Sequence, residues 1–506
     1  MESSALSILP PILTIILALW TKEVYFSLIL GIFSGAMIFT GGNFLQSITT
    51  FFEIMSNKIG GNVHILAFLV ILGILVAAIT RSGATQAYGE WARRVISGKK
   101  SALGVTAFLG ILIFIDDYFN CLTVGTVMRP VTDKFKIARA KLAYVIDSTA
   151  APVCIIAPVS SWAAAVGSSL PQDSLIDGFV LFLQTIPFNF YAILTMIFMA
   201  FIVVSGRDFS TMRKAVDENI DELKIPAEYQ DSVKAESSTG GNGKIVDLVL
   251  PLAVLISVCV YGMLYTGGIH DGKSIADAFA DCDAAQSLAL GSFIALVFIS
   301  VLYLPRGVIN FSEYCECYAQ GFKAMVPAIF ILCLAWTLSG VCGDEYLNLG
   351  GYVGAIVQQH TSLAMFLPVV FFLVAICLAF ATGTSWGTFG ILIPISISIL
   401  MGLPSEQAAN LLVVCIAAIL SGSVCGDHAS PISDTTILAS AGAQCNHIEH
   451  VATQVPYVIV VASCCTVGFL VAGVTENGWI GLVTSLACIG VVMAVIKAKV
   501  NPPAEN

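Results

Sequence analysis

Residues 363–403 read LAMFLPVVFFLVAICLAFATGTSWGTFGILIPISISILMGL, 41 consecutive positions without a charged side chain. As one straight helix the stretch would be about 60 Å long, twice the roughly 30 Å hydrocarbon thickness of a bilayer. It must therefore turn back on itself. The natural break is Thr382-Gly383-Thr384-Ser385, which is central, polar and flexible. Irregular backbone at that depth is tolerated only where protein or a water-filled cavity surrounds it. The reading is a re-entrant hairpin near 363–402.

A second hairpin follows from charge. Arg81, Arg93, Arg94, Lys99 and Lys100 lie in segment 81–100, and Arg129, Lys134, Lys136, Arg139 and Lys141 in segment 129–141. Lys and Arg collect on the cytoplasmic side, so both segments are expected there. A single crossing would put one of them on the wrong side. A re-entrant hairpin near 102–128, with its tip at Ile115-Asp116-Asp117-Tyr118, satisfies both.

Composition agrees with a membrane location. The 506 residues are 57% hydrophobic and 11% charged, with mean hydropathy +0.89. A soluble domain carries about 25% charged residues. The net charge of −10 arises mostly in two polar loops, 207–238 and 270–283. No basic patch interleaved with aromatics is present, which argues against nucleic acid. Most of the 15 cysteines sit inside apolar blocks and read as small inert hydrophobes, not as products of an oxidising compartment. Block 5–20 lacks a basic flank and a small-residue cleavage site, so it reads as a retained first helix. A phosphate-binding Gly-Lys-Ser/Thr loop is absent, against ATP drive, and no cofactor is expected.

Apolar blocks 5–20, 24–40, 65–80, 142–166, 179–204, 245–266, 285–304, 325–341, 409–441, 456–474 and 479–496 mark about 11 spans, and 44–56 an interfacial amphipathic helix. The expected fold is an all-α integral membrane protein of two inverted-topology repeats, 1–206 and 245–478, each with one hairpin. A flexible cytoplasmic linker, 207–244, joins them, and 479–506 adds a further helix and tail. The N-terminus then starts outside and the C-terminus ends in the cytoplasm, with every basic cluster on the expected side. A short internal match supports the repeat: Cys154, Pro158 and Ser160 align with Cys425, Pro431 and Ser433.

Charged groups at membrane depth are costly and mark function by default. Asp116 and Asp117 sit at the first tip, with Asn120 and Thr123 near. Carboxylate, amide, hydroxyl and freed carbonyl oxygens suit a small hard cation, and adjacent carboxylates can exchange Na⁺ for H⁺. Asp147, Ser148 and Thr149 begin a span that Pro152 and Pro158 interrupt, with Ser160 and Ser161 beyond. Thr382, Gly383, Thr384 and Ser385 form the second tip. The stretch 426–436 holds Asp427, His428, Ser430, Ser433, Asp434 and Thr435, with the imidazole placed to relay protons beside Asp117. A capping, kinking or purely hydrogen-bonding role is the plainer alternative for each group. Zinc would need further ligands that spacing does not show. Cys315-Glu316-Cys317 reads as loop, and His447 and His450 as facing water. Arg129 marks the interface or reaches an anionic ligand.

Three activities compete. One is Na⁺/H⁺ antiport. Another is Na⁺-coupled symport or exchange of a small organic solute, an amino acid or carboxylate; no evident buried Arg or Lys awaits a carboxylate, although half-helix N-termini can supply positive ends. The third is an intramembrane hydrolase using Asp427, His428 or Ser430, which requires nucleophile, base and orienter to converge. Polar groups spread over two symmetric halves favour transport.

The stretches Phe114-Ile115-Asp116-Asp117-Tyr118-Phe119-Asn120, Asp147-Ser148-Thr149-Ala150-Ala151-Pro152, Thr382-Gly383-Thr384-Ser385-Trp386-Gly387-Thr388 and Gly426-Asp427-His428-Ala429-Ser430-Pro431-Ile432-Ser433-Asp434 resemble the NhaC family of Na⁺/H⁺ antiporters, within the wider ion-transporter superfamily. The likeness covers nearly the whole chain except 207–244. It implies a plasma-membrane secondary transporter, not an enzyme, with Na⁺ and H⁺ as coupling ions. Family relatives are described as Na⁺/H⁺ antiporters, as malate/lactate exchangers and as Na⁺-coupled amino-acid carriers. The superfamily resemblance further implies an elevator-like transport domain and homodimers.

Overall fold

The computed structural model describes residues 5–21, 23–169, 178–219, 243–275, 282–343, 345–349, 361–401 and 405–500, together with 278, 352 and 403. Every regular element among them is helical. In the first half α1 (Leu9–Thr21), α2 (Val24–Phe39), α3 (Phe44–Gly61), α4 (Val63–Arg81) and α5 (Ala84–Val95) lead into the first hairpin. Its arms are α6 (Lys99–Leu112) and α7 (Asp117–Lys134), so the chain turns at the expected tip. The next span is broken into α8 (Arg139–Thr149), the single turn α9 (Ala151–Cys154) and α10 (Ser161–Ser168). Pro152 and Pro158 lack the N–H that a continuous helix needs there. Helices α11 (Gly178–Thr185), α12 (Phe190–Ser205) and α13 (Ser210–Glu218) end the half.

The second half repeats the plan. Helices α14 (Val246–Thr266), α15 (Ala284–Tyr303) and α16 (Phe311–Cys342) precede the second hairpin, α17 (Leu367–Thr382) and α18 (Ser385–Leu400). Its break falls at Gly383 and Thr384, as predicted. A second broken span follows, α19 (Ser405–Ala429) and α20 (Asp434–Ala443), then α21 (His447–Thr475) and α22 (Gly478–Lys499).

Packing divides the helices into two groups. Helix α4 lies against α15 and α16, and α16 also against α2 and α3, forming a frame. In the other group, the second piece of each broken span crosses to the hairpin of the opposite half. Helix α20 packs on α7 and α8, and α10 on α18. At the first crossing Gly125 meets Gly442 backbone to backbone: a Cβ on Gly125 would stand 2.5 Å from Gly442 Cα. At the second, the Trp162 ring lies 5.9 Å from Trp386 and 5.6 Å from Phe389, centroid to centroid.

Among the described residues, eight helices are long and apolar enough to cross a membrane, or up to ten if each bent pair counts as one span. Seven of the eight are expected spans; the eighth, Ala364–Thr382, is a hairpin arm. The first broken span and the short α1 account for the difference from 11 expected. Large apolar side chains such as Phe108, Phe293 and Val483 remain exposed on the surface, as lipid contact requires.

Two expectations are corrected. Cys315-Glu316-Cys317 is helix, not loop: an Asn310/Glu313 capping box starts α16 early, and Arg81 pairs with Glu313 at 3.2 Å. The beginning of the 207–244 linker is docked, not free. Arg207 donates to Lys497 O at 2.7 Å and to Val500 O, capping the last helix, and Thr211 donates to Ala452 O at 2.6 Å. Residues 220–242 of that linker lie outside the described residues. Arg129, Arg139 and Lys141 are buried, each 3% exposed, and each is held by protein partners. Asp133 pairs with Arg139 at 2.9 Å, Asp208 with Lys141, and the Gly442 and Gln444 carbonyls accept from Arg129 and Arg139.

Candidate functional site

Four half-helices begin where the two crossings meet, and each is capped by a residue singled out in the sequence. Asp116 accepts from Phe119 N at 2.9 Å and starts α7. Thr384 accepts from Gly387 N at 3.3 Å and starts α18. Ser160 accepts from Ala163 N at 3.1 Å and Ser433 from Thr436 N at 3.3 Å, starting α10 and α20. The two serines aligned in the internal match thus occupy the same place in each broken span. Helix N-termini present free N–H groups and a positive dipole end, which stabilise nearby carboxylates.

The breaks are fastened to one another. Asn120 donates from Nδ2 to the carbonyls of Gly110, Ile113 and Thr149 at 2.6, 3.0 and 3.0 Å, closing the first tip. Ser161 N donates to Ile115 O at 2.8 Å. At the second tip, Ser430 Oγ donates to Phe380 O at 2.8 Å and Ser385 Oγ to Ser423 O at 3.1 Å. Gly383 has φ +69°, and a Cβ there would stand 2.4 Å from Ile432 O. Only glycine lets the tip lie this close to the α19–α20 break.

Between the two tips and that break lies a small pocket lined by Asp117, Tyr118, Gly383, Thr384, Ser385, Trp386, Asp427, Asp434 and Thr435. Asp117 and Asp427 are 2% and 3% exposed. Thr435 Oγ1 donates to Asp427 Oδ2 at 2.9 Å, while Asp427 Oδ1 has no hydrogen-bond partner. Asp434 stands exposed at the mouth, 3.4 Å from Tyr118 Oη. Among the described residues, no three His, Cys, Asp or Glu side chains are placed to hold a metal ion by themselves. A cation here would need hydroxyl and carbonyl oxygens as well as the acids.

The remaining expected residues fall outside this pocket. Thr123 is buried further along α7, Thr149 returns its hydroxyl to Val145 O, and Thr382 to Leu378 O. Asp147 belongs to a second buried cluster. Its Oδ2 accepts from Gln454 Nε2 at 2.6 Å and Thr436 Oγ1 at 3.2 Å, and lies 3.4 Å from His450 Nε2; His428 Nε2 is 3.8 Å from Oδ1. His450 is therefore fully buried and does not face water, because α21 lays its first turns against α8. His447 stays partly exposed, bonded to Pro431 O at 2.7 Å. Sequence reading missed Gln454 and placed His450 in water. The spacing of His450, Gln454 and Tyr457 (i, i+4, i+7) on one helix face was the available signal. Beside this cluster a small cavity is lined by Ser148, Tyr144, Tyr191 and Tyr457 among others.

Hydrolase geometry does not form. Ser430 gives its hydroxyl to Phe380 O, and His428 Nδ1 meets Tyr191 Oη at 3.2 Å, so hydroxyl and imidazole have separate partners.

Comparison with known proteins agrees with this architecture. A Haemophilus influenzae protein described only as uncharacterized is 38% identical, over 98% of this chain and 96% of its own. The malate-2H⁺/Na⁺-lactate antiporter of Bacillus subtilis is 30% identical over 35% of this chain and 37% of its own. The crystal structure of the Alcanivorax borkumensis YdaH transporter, at 13% identity, overlaps 89% of each chain with a TM-score of 0.50, a likeness of fold. Residues 153–474 match the Na⁺/H⁺ antiporter family, and across that length, which holds α10, the second hairpin and the second broken span, the chain belongs to that family of secondary transporters.

Proposed function

We propose that the protein exchanges Na⁺ for H⁺ across the plasma membrane by alternating access, with Na⁺ held between the two hairpin tips. The observation that carries this reading is the convergence of Asp117, Asp427 and the hydroxyl residues Thr384, Ser385 and Thr435 on one pocket built from both halves. Asp427 keeps one carboxylate oxygen unpartnered there. Hard cations are bound through such mixed oxygen sets. The hairpins and broken spans would move as one body against the α2–α4 and α14–α16 frame, with an external N-terminus, a cytoplasmic C-terminus and a homodimeric assembly. No cofactor is needed, since Na⁺ and H⁺ are the coupling ions.

Purified protein in liposomes with an internal pH dye tests this. An imposed Na⁺ gradient drives protons the opposite way without any organic solute. Asp117→Asn and Asp427→Asn abolish the signal; if both variants keep it, the pocket assignment fails. A second reading, exchange of a small carboxylate, is favoured by the Bacillus subtilis relative's name. Proton movement that appears only when malate or lactate is added would establish it.

A further inference from the structure

Asp427 and Thr435 line the pocket between the tips, whereas their neighbours His428 and Thr436 face Asp147. The α19–α20 break therefore presents adjacent residues to two different sites. At the second site, Asp147 and His450 are both 0% exposed. His450 Nε2 approaches Asp147 Oδ2 at 3.4 Å, while His450 Nδ1 and Asp147 Oδ1 have no hydrogen-bond partner. A carboxylate and an imidazole are in contact here, both withdrawn from water and each with a proton-accepting atom left over.

We propose that Asp147 and His450 are the proton-carrying site of the exchange, distinct from the cation pocket. The inference rests on the antiport reading. The Thr436 hydroxyl links the sites: it lies 3.2 Å from Asp147 Oδ2 and 3.5 Å from Asp427 O. A cation that draws Asp427 and Thr435 together moves Thr436 relative to Asp147, so occupancy of one site biases the other. Gln454, which donates to Asp147 Oδ2 and to His428 O, is a positioning residue.

The groups facing the pair come from each surrounding element. Helix α19 supplies His428, and through it α12 supplies Tyr191. Helix α7 supplies Cys121, and α8 supplies Tyr144 on the cavity side. Helix α20 supplies the untitratable Thr436, its acid Asp434 being turned to Tyr118. Toward the α8 N-terminus, Tyr457 Oη donates to Asp208 at 2.7 Å beside Lys141. A proton reaching Asp147 from that side would pass through the small cavity lined by Tyr457 and His428.

The test compares two transport modes in liposomes. Isotopic Na⁺/Na⁺ exchange at equal pH needs no net proton movement, and Na⁺-driven proton movement does. His450→Gln keeps isotopic exchange within about twofold and loses at least about tenfold of proton movement. Asp427→Asn loses both. Gln454→Ala keeps isotopic exchange and moves the pH of half-maximal proton movement upward by about half a unit or more, because the lost amide donates to the ionised carboxylate. Undiminished proton movement in His450→Gln, or equal loss of both modes in a stable His450→Gln protein, overturns the proposal. Should His450→Gln fail to fold, Gln454→Ala decides, and an unmoved pH profile overturns it. Wild-type liposomes that exchange Na⁺ but never move protons would instead refute antiport itself.

Discussion

Gly383→Ala separates backbone strain from displacement of the pocket. At φ +69° an L side chain costs about 1–2 kcal/mol. Gly41, at φ +65°, bears the same strain with nothing within 4 Å of an added Cβ. At Gly383 the new Cβ would also stand 2.4 Å from Ile432 O, where ordinary contact begins at 3.4 Å, so tip and break must part by 3.4 − 2.4 = 1.0 Å. Cation ligands hold their distances to within about 0.2 Å, so Thr384 and Ser385 leave coordinating range. Both variants should lose similar thermal stability from the backbone term. Gly383→Ala alone should lose apparent Na⁺ affinity, at least about tenfold or 1.4 kcal/mol. Thermal unfolding in detergent over a Na⁺ series measures both quantities together. Equal Na⁺ dependence in the two variants would refute the claim that this contact positions the pocket.

Two further outcomes test the buried polar fastenings. Asn120→Leu deprives three carbonyls of their donor and should destabilise the protein by about 3 kcal/mol or more, read as a lowered unfolding temperature; a change within experimental error removes Asn120 from the role of closing the first tip. Lys141→Met strands Asp208 and should cost about 3–5 kcal/mol, whereas Lys141→Met with Asp208→Leu should cost less than the single change; an additive loss would show that the two charges do not act as a pair.

Much of this architecture was legible in the sequence, and the reason is physical. A 41-residue uncharged run cannot fit a bilayer once, so the turn at Gly383 follows from length. The expectation that two basic clusters share one side puts a turn at Asp116, where the helix breaks between α6 and α7. Ser160 and Ser433 were visible as a match because both cap the same half-helix, a role few residue types fill. Pairing across the chain was not legible. Nothing local in Asp147 shows that it turns away from Asp117 toward His450. Arg129 and Arg139 read as cytoplasmic loop because the Gly442 and Gln444 carbonyls that accept from them lie in the other half. His450 follows a polar Asn446 cap, and its burial depends on α8 arriving from far upstream.

The packing of α8 against α20 and α21 also constrains biogenesis. Asp147 finds Thr436 289 positions later and Gln454 307 positions later, and Arg139 finds Gln444 305 positions later. At about 5–20 residues per second of synthesis, these polar groups wait roughly 15–60 s for their partners. During that interval the nascent first half holds ionisable side chains without their native neighbours, so it is a ward of the insertion machinery until the second half has followed.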